Sequence, residues 1–365
     1  MAKILSVSEM EKHLLSLSSD ENLSIANMVS EQQNPSSILT VYGARTEISA
    51  LARCIINVHP GYPFFSDKLK GKILTELCNI LNSVTNDISV RDLFARFQSI
   101  PELIPDNHFL LKLGDSVLRR TRGKYINVGR NYIVAKNLES DVYIGRHDGI
   151  GIIAIKKFSA LPEQSLELYR TQVLDLINTS RALIIDLRDN PGGPSTLATM
   201  IANTILGTDI IPRSRRMFIR TNNDARKFYS CTKLSKDGLD FTHDPALRAD
   251  NTKFRLSKGY NSLYQRPIYF LINTKTASSA ELLINYFRYY KNATLVGAHT
   301  AGALQYGAVF WGMLTRSRIL FQIGAHYMEI PRKRNFETHG YPPDIKCNDG
   351  QDAMAIAIND INEKS

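Results

Sequence analysis

No stretch of about 18 apolar residues, the length a membrane-spanning helix requires, occurs anywhere in the 365-residue chain. Cysteine is scarce: Cys54, Cys78, Cys231 and Cys347 stand apart with no CxxC. That spacing excludes a disulfide framework and a zinc knuckle, and it suits a reducing compartment. HExxH, the Walker phosphate loop and the GxSxG elbow are all missing, so no metal and no cofactor is implied. Internal repeats and low-complexity tracts are absent as well. The opening Met1-Ala2-Lys3-Ile4-Leu5-Ser6-Val7 meets Glu9 and Glu11 before the apolar core of about 7–15 residues that a secretory signal needs can form. The expectation is a cytoplasmic protein with no membrane contact.

What is there suffices for a large core, since 43% of the residues are hydrophobic, and the length allows two domains of ordinary size. The formal charge is +10. Nucleic acid is one reading of such an excess, but no RNA- or DNA-reading motif accompanies it, so no nucleic-acid partner is expected. A solvated basic face, or a channel that attracts acidic peptides, accounts for it equally well.

The texture changes along the chain. From the start to about residue 104 the apolar residues recur at helical spacing, as in Ile48-Leu51-Ala52-Ile55-Ile56, Ile73-Leu74-Leu77-Ile80-Leu81 and Val90-Leu93-Phe94-Phe97. Pro60, Gly61 and Pro63 break that rhythm. These features predict a small N-terminal helical domain, 1–104. From 105 to 365 short β-rich runs alternate with helices. Phe109-Leu110-Leu111, Tyr125-Ile126-Asn127-Val128, Tyr132-Ile133-Val134, Gly151 to Ile155, Ala182 to Ile185, Ile268 to Ile272 and Ala293 to Val296 read as strands. Helices are expected at about 162–178, after Gly193, and at about 278–290. The alternation predicts an α/β domain with a mostly parallel sheet covered on both faces. Residues 211–265 are polar and basic and read as a surface excursion or lid.

Three segments carry chemistry. In Asp186-Leu187-Arg188-Asp189-Asn190-Pro191-Gly192-Gly193, two glycines follow an apolar strand and precede a helix, so backbone N–H groups and a helix dipole point to one place. That is the makings of an oxyanion hole, or simply of a strand-to-helix turn. In Thr276-Ala277-Ser278-Ser279-Ala280-Glu281, Ser278 stands at a strand-to-helix junction. Ser278-x-x-Glu281 also reads as a capping box, in which the serine only caps a helix. Pro105-Asp106-Asn107-His108-Phe109 supplies a histidine, a base that a serine needs before it becomes a nucleophile. Each segment alone fits a purely structural role.

Taken in order, these segments resemble the serine peptidase family that includes the tail-specific or C-terminal processing proteases and the tricorn protease core. Asp106-Asn107-His108 is similar to that family's Asp-Gly-His, and the stretch from Asp186 to Gly193 is close to a family signature. Ser278-Ser279-Ala280-Glu281 resembles its nucleophile motif. Ala293-Thr294-Leu295-Val296-Gly297 and Thr300-Ala301-Gly302 resemble the strand and loop that follow. The stretch from Glu337 to Ile345 is similar to its closing Glu-x-x-Gly-Val-x-Pro-Asp-Ile. The resemblance covers about 101–345. It implies a crotonase-like ββα spiral, a peptide or protein substrate and an acyl-enzyme on Ser278. One branch of the family uses a lysine in a Gly-Lys-Gly loop, but here the loop reads Gly302-Ala303-Leu304. The histidine-dependent, tricorn-like branch is therefore implied. That resemblance implies Ser278 as the nucleophile, His108 as the general base and Glu337 as the acid that orients the histidine or balances its charge. It likewise implies an oxyanion hole formed by Gly192 or Gly193 together with Ser279.

Some positions depart from the pattern. Asn107 replaces the serine that often precedes the histidine, and Gly297-Ala298-His299-Thr300 replaces Gly-Glu-x-Thr. The stretch from Leu113 to Asp148 is too short for the PDZ domain many members carry. His299 and His339 stay open as other bases, and Lys275 as an imitation of a dyad lysine. Gly149-Ile150-Gly151 imitates a dinucleotide fingerprint but leads into a β-branched run rather than a helix. A catalytically inactive peptide-binding protein on the same scaffold is the alternative reading, and a homo-oligomer is left open.

Overall fold

The computed structural model describes residues 6–17, 23–25, 34–121, 123–129, 141–207, 216–220, 222–230, 247–250, 264–287, 292–330 and 336–364. It forms two compact units, each assembled from three separate stretches of chain. One holds Met1–Thr121, Arg215–Asn251 and Gln305–Ile330; the other holds Arg122–Ser214, Thr252–Leu304 and Pro331–Ser365.

In the first unit the expected helices are present. Val41–Arg53, Asp67–Ser83 and Val90–Arg96 start on the side-chain oxygens of Thr40, Ser66 and Ser89, each accepting a backbone N–H of the first turn. The stripe Ile73, Leu74, Leu77, Ile80 and Leu81 is buried, as its spacing predicts. Val41–Arg53 runs straight into a π-helical turn, Cys54–Val58, closed by the bond from His59 N to Cys54 O at 2.9 Å. Pro60 and Gly61 then stop the helix. The helices share a core with an antiparallel sheet whose path is Leu23–Ile25, Tyr306–Leu314, Leu320–Glu329, Leu110–Leu113 and Ser116–Arg119. Arg216–Arg220 also pairs with Leu320–Glu329, and Leu247–Asp250 pairs with Arg216–Arg220. The segment 211–265, read from its polarity as an excursion or lid, thus contributes two sheet strands. It also contributes the helix Asn223–Ser230, whose Ala225, Phe228 and Tyr229 are buried. Its other residues lie outside those described.

The second unit carries the parallel sheet. Its six strands run in the order Ile345–Lys346, Ala293–Gly297, Ile268–Ile272, Ala182–Asp186, Ile150–Ile155 and Val142–His147. All pairs are parallel except the last, a hairpin. Every residue of Ala182–Asp186 and Ile268–Ile272 is buried, which explains their unbroken apolar runs. Helix Ala353–Lys364 covers one face through Ala353, Met354, Ala357 and Ile361. Gly149, with Asp148, makes the two-residue hairpin turn, both at positive φ, so the dinucleotide imitation is a turn. Residues 125–128, expected as a strand, have no regular structure, and 132–134 lie outside the described residues. The first of these bonds through loops instead, with Asn127 N donating to Asp349 Oδ1.

Candidate active site

Two neighbouring parallel strands, Ala182–Asp186 and Ile268–Ile272, release their loops side by side at their carboxyl ends, where α/β sheets bind ligands. The loops are bolted together. Thr276 Oγ1 donates to Leu187 O at 2.8 Å, Ala277 N to Asn190 O at 2.9 Å, and Asp189 N to Asn273 Oδ1 at 3.0 Å. The chain then turns at Ser278 and enters the helix Ser279–Phe287. Ser278 has φ 55°, a left-handed conformation that a residue with a side chain adopts only where its surroundings over-determine it. It is half-buried. Half of the anticipated capping box is present, since Glu281 Oε2 accepts the Ser278 N–H at 3.1 Å. The serine hydroxyl, however, caps nothing in its own unit among the described residues.

The paired glycines pack directly on this turn. Gly192 has φ 96°, and a Cβ there would lie 2.6 Å from Ser278 Cβ; Gly193 has φ 129°, and its Cβ would lie 1.9 Å from Phe158 O. Only glycine fits either place. The N–H of Gly192 is already taken by Asn190 Oδ1 at 2.8 Å. The N–H groups of Gly193 and Ser279 have no acceptor among the described residues. The hydroxyl of Ser279 donates to Gly193 O and ties these two residues to each other. Of the two glycines, the geometry therefore leaves Gly193 as an oxyanion donor and makes Gly192 a packing partner.

Glu281 anchors the turn from behind. Its buried carboxylate accepts N–H bonds from Ser278, Gly302 at 2.9 Å and Ala303 at 2.7 Å, and the hydroxyl of Thr300. The loop where another branch would carry its lysine is thus folded back onto Glu281. Thr338 N donates to Gly302 O at 2.7 Å, which fastens the turn bearing the buried Glu337 to the same loop.

His108 belongs to the other unit. There its backbone N–H donates to Asp106 Oδ1 at 2.7 Å, and its Nδ1 lies 3.6 Å from that oxygen. Asp106 Oδ2 lies 3.1 Å from Nε2 of His59. Burial alone would raise the Asp106 carboxyl, but hydrogen bonds from His108 and His59 outweigh it and hold the group below the usual carboxylate range. The sequence marks Asp106 only as part of a motif, and nothing distinguishes His59 from any histidine at a helix end.

The decoys have other attachments. His299 Nδ1 contacts Thr300 O at 2.8 Å, and His339 Nδ1 contacts Glu337 O at 3.1 Å. Lys275 Nζ lies 3.5 Å from Asp189 Oδ1 and 4.2 Å from the centre of the Tyr125 ring.

A family model for peptidase family S41 matches residues 149–347. Among solved structures, a Parabacteroides merdae protein described as a peptidase is similar, with a TM-score of 0.60 at 18% identity over 88% of this chain and 98% of that one. At that identity the likeness is one of fold. A lipoprotein from Streptococcus agalactiae aligns with a TM-score of 0.48 at 15% identity over 92% of this chain and 100% of that one. The tricorn protease aligns with a TM-score of 0.33 at 17% identity over 59% of this chain and 18% of that one.

Proposed function

We propose that this chain, which belongs to peptidase family S41 and is a serine-type peptidase, cleaves peptide or protein substrates through an acyl-enzyme on Ser278. The observation that carries the assignment is the strained turn: φ 55° at Ser278, packed on Gly192 at the mouth of the parallel sheet. Strain at a single serine between a strand end and a helix N-terminus is how a nucleophile is presented, and a mere cap has no use for it.

In this reading His108 takes the proton from Ser278 Oγ as that oxygen attacks the scissile carbonyl. The tetrahedral oxyanion is received by the N–H groups of Gly193 and Ser279, aided by the positive end of the helix Ser279–Phe287. His108 passes its proton to the leaving amine, and a water, activated by the same base, releases the acyl group. Glu337 orients the imidazole or balances its charge. We read residues 105–365 as a crotonase-like ββα spiral and the helices of 1–104 as the N-terminal region that precedes it. No helix among the described residues is long and apolar enough to cross a membrane. The free thiols of Cys54, Cys78 and Cys347 suit the cytoplasmic setting we favour.

A fluorophosphonate probe, which reports an activated serine without knowledge of the substrate, tests this. Wild type should be labelled, Ser278→Ala should not, and His108→Ala should react about 10²–10⁴-fold more slowly, the usual contribution of a general base. Equal labelling of wild type and Ser278→Ala sinks the assignment.

A further inference from the structure

Next to His108 lies a buried pair that the chemistry above leaves unused. His59 and Asp106 are both 0% exposed. The ring proton of His59 can be located from its neighbours: Nδ1 accepts the N–H of Gly61 at 3.1 Å, so the proton sits on Nε2 and is donated to Asp106 Oδ2 at 3.1 Å. Phe65, Phe109 and Tyr306 wall the ring, with Tyr306 5.0 Å away, and leave it little freedom to turn.

The other oxygen of Asp106 serves His108. It accepts the backbone N–H of that residue and faces its Nδ1 from 3.6 Å. That Nδ1 is buried and stands just beyond full hydrogen-bond distance of Asp106, with no closer partner among the described residues. A closure of about half an ångström, ordinary for a catalytic contact that tightens with substrate, would complete it. Both imidazoles act on the Asp106 carboxyl, and its charge is also felt by the buried Tyr229. The backbone is also built for this contact. The helix Val41–Arg53 changes to the π-helical turn Cys54–Val58 just before His59. Such turns are rare, and those that occur are frequently at functional sites. Here the wider turn places His59 at the start of the break made by Pro60 and Gly61.

We propose that His59 is a positioning residue for the peptidase reaction: it grips Asp106 from behind, and Asp106 holds the Nδ1 edge of His108, leaving Nε2 to receive the serine proton. The inference rests on the reading of His108 as general base.

Two near-isosteric variants separate this role from simple packing. Glutamine places an N–H donor where His59 has Nε2, whereas asparagine can only imitate the acceptor Nδ1. The measurement is the rate of fluorophosphonate labelling of the full chain across pH, with thermal melting in parallel. His59→Asn is expected to react about 10–100-fold more slowly, the range seen when a hydrogen-bonded group behind a functional ligand is removed, and its pH midpoint should shift. His59→Gln should restore most of the rate. In Asp106→Ala, which has no side-chain acceptor for His59, adding His59→Asn should slow labelling little further. Three results would overturn the proposal: equal rates and pH midpoints for the two His59 variants, slowing that tracks loss of melting temperature alone, or fully additive slowing in the double variant. His108→Ala is the separate control. Undiminished labelling there removes the base reading itself, whereas slow His108→Ala with wild-type His59→Asn removes only the role of His59.

Discussion

Ser278 sits at φ 55°, where an L-residue is disfavoured by about 1–2 kcal/mol. Glycine at this position would escape that strain, at the cost of about 0.5–1 kcal/mol of extra chain entropy in the unfolded state. Ser278→Gly is therefore expected to be about 0.5–1 kcal/mol more stable than Ser278→Ala, with both unlabelled. A capping serine also favours glycine over alanine, but it makes both variants less stable than wild type, whereas a strained serine that caps nothing leaves Ser278→Gly at least as stable as wild type. Urea unfolding midpoints decide, and a glycine variant less stable than the alanine variant would show that the turn stores no strain. Asp106 allows a second test at this scale. A carboxyl held below its ordinary value near 3.8 contributes stability that is complete above that value and is lost as pH falls through the folded-state value. Asp106→Asn should accordingly be less stable than wild type near neutral pH, with a gap that narrows as pH drops below about 4. A gap of constant size in urea melts across that range would show that folding does not lower the Asp106 carboxyl.

Elements explain why the site is rigid and why only part of it can be read in advance. Helix Ser279–Phe287 is fixed to the 300–303 loop through one buried carboxylate. Burial pushes Glu281 up from its ordinary range, and its hydrogen-bond donors only partly offset this. Glu281→Ala would strip the acceptor from the N–H groups of Ser278 and Ala303, each costing about 1–3 kcal/mol when buried bare. A loss of about 3 kcal/mol or more is expected, along with slower labelling in the protein that remains folded. Wild-type stability in this variant would refute the clamp. Strands with unbroken apolar runs, such as Ala182–Asp186, were legible because burial on both faces leaves no other composition. The hairpin of Tyr306–Leu314 and Leu320–Glu329 was not, because its glycines hide the pattern. A Cβ at Gly307 would lie 2.5 Å from the His326 ring, and one at Gly312 would lie 2.1 Å from the Phe321 ring. Glycine there makes room for a cross-strand ring, a reason that no single-strand periodicity contains.

At the scale of the whole molecule, the motifs of the candidate site could be read because each is local: the Gly-Gly turn, the serine before a helix and the Asp-x-His segment. Pairing between distant segments could not, because it leaves no local mark. The strand Leu110–Leu113 takes its partner from Leu320–Gln322. The helices that look self-sufficient in sequence bury Leu51, Leu77 and Phe97 in the same core as Phe228, Leu314, Phe321 and Ile323. The N-terminal stretch therefore lacks part of its own interior until the later segments arrive. Such non-local closure also slows folding, since loop entropy is lost before contacts compensate. A fragment of residues 1–121 expressed alone should keep helical far-ultraviolet dichroism but show no cooperative thermal unfolding and no fixed aromatic signal in the near ultraviolet. Adding 305–330 in trans should restore part of the cooperativity by supplying the strands that complete the sheet. If the isolated fragment melts in a single sharp transition with native-like aromatic dichroism, the N-terminal helices are an independent domain, and the shared core contributes nothing essential to them.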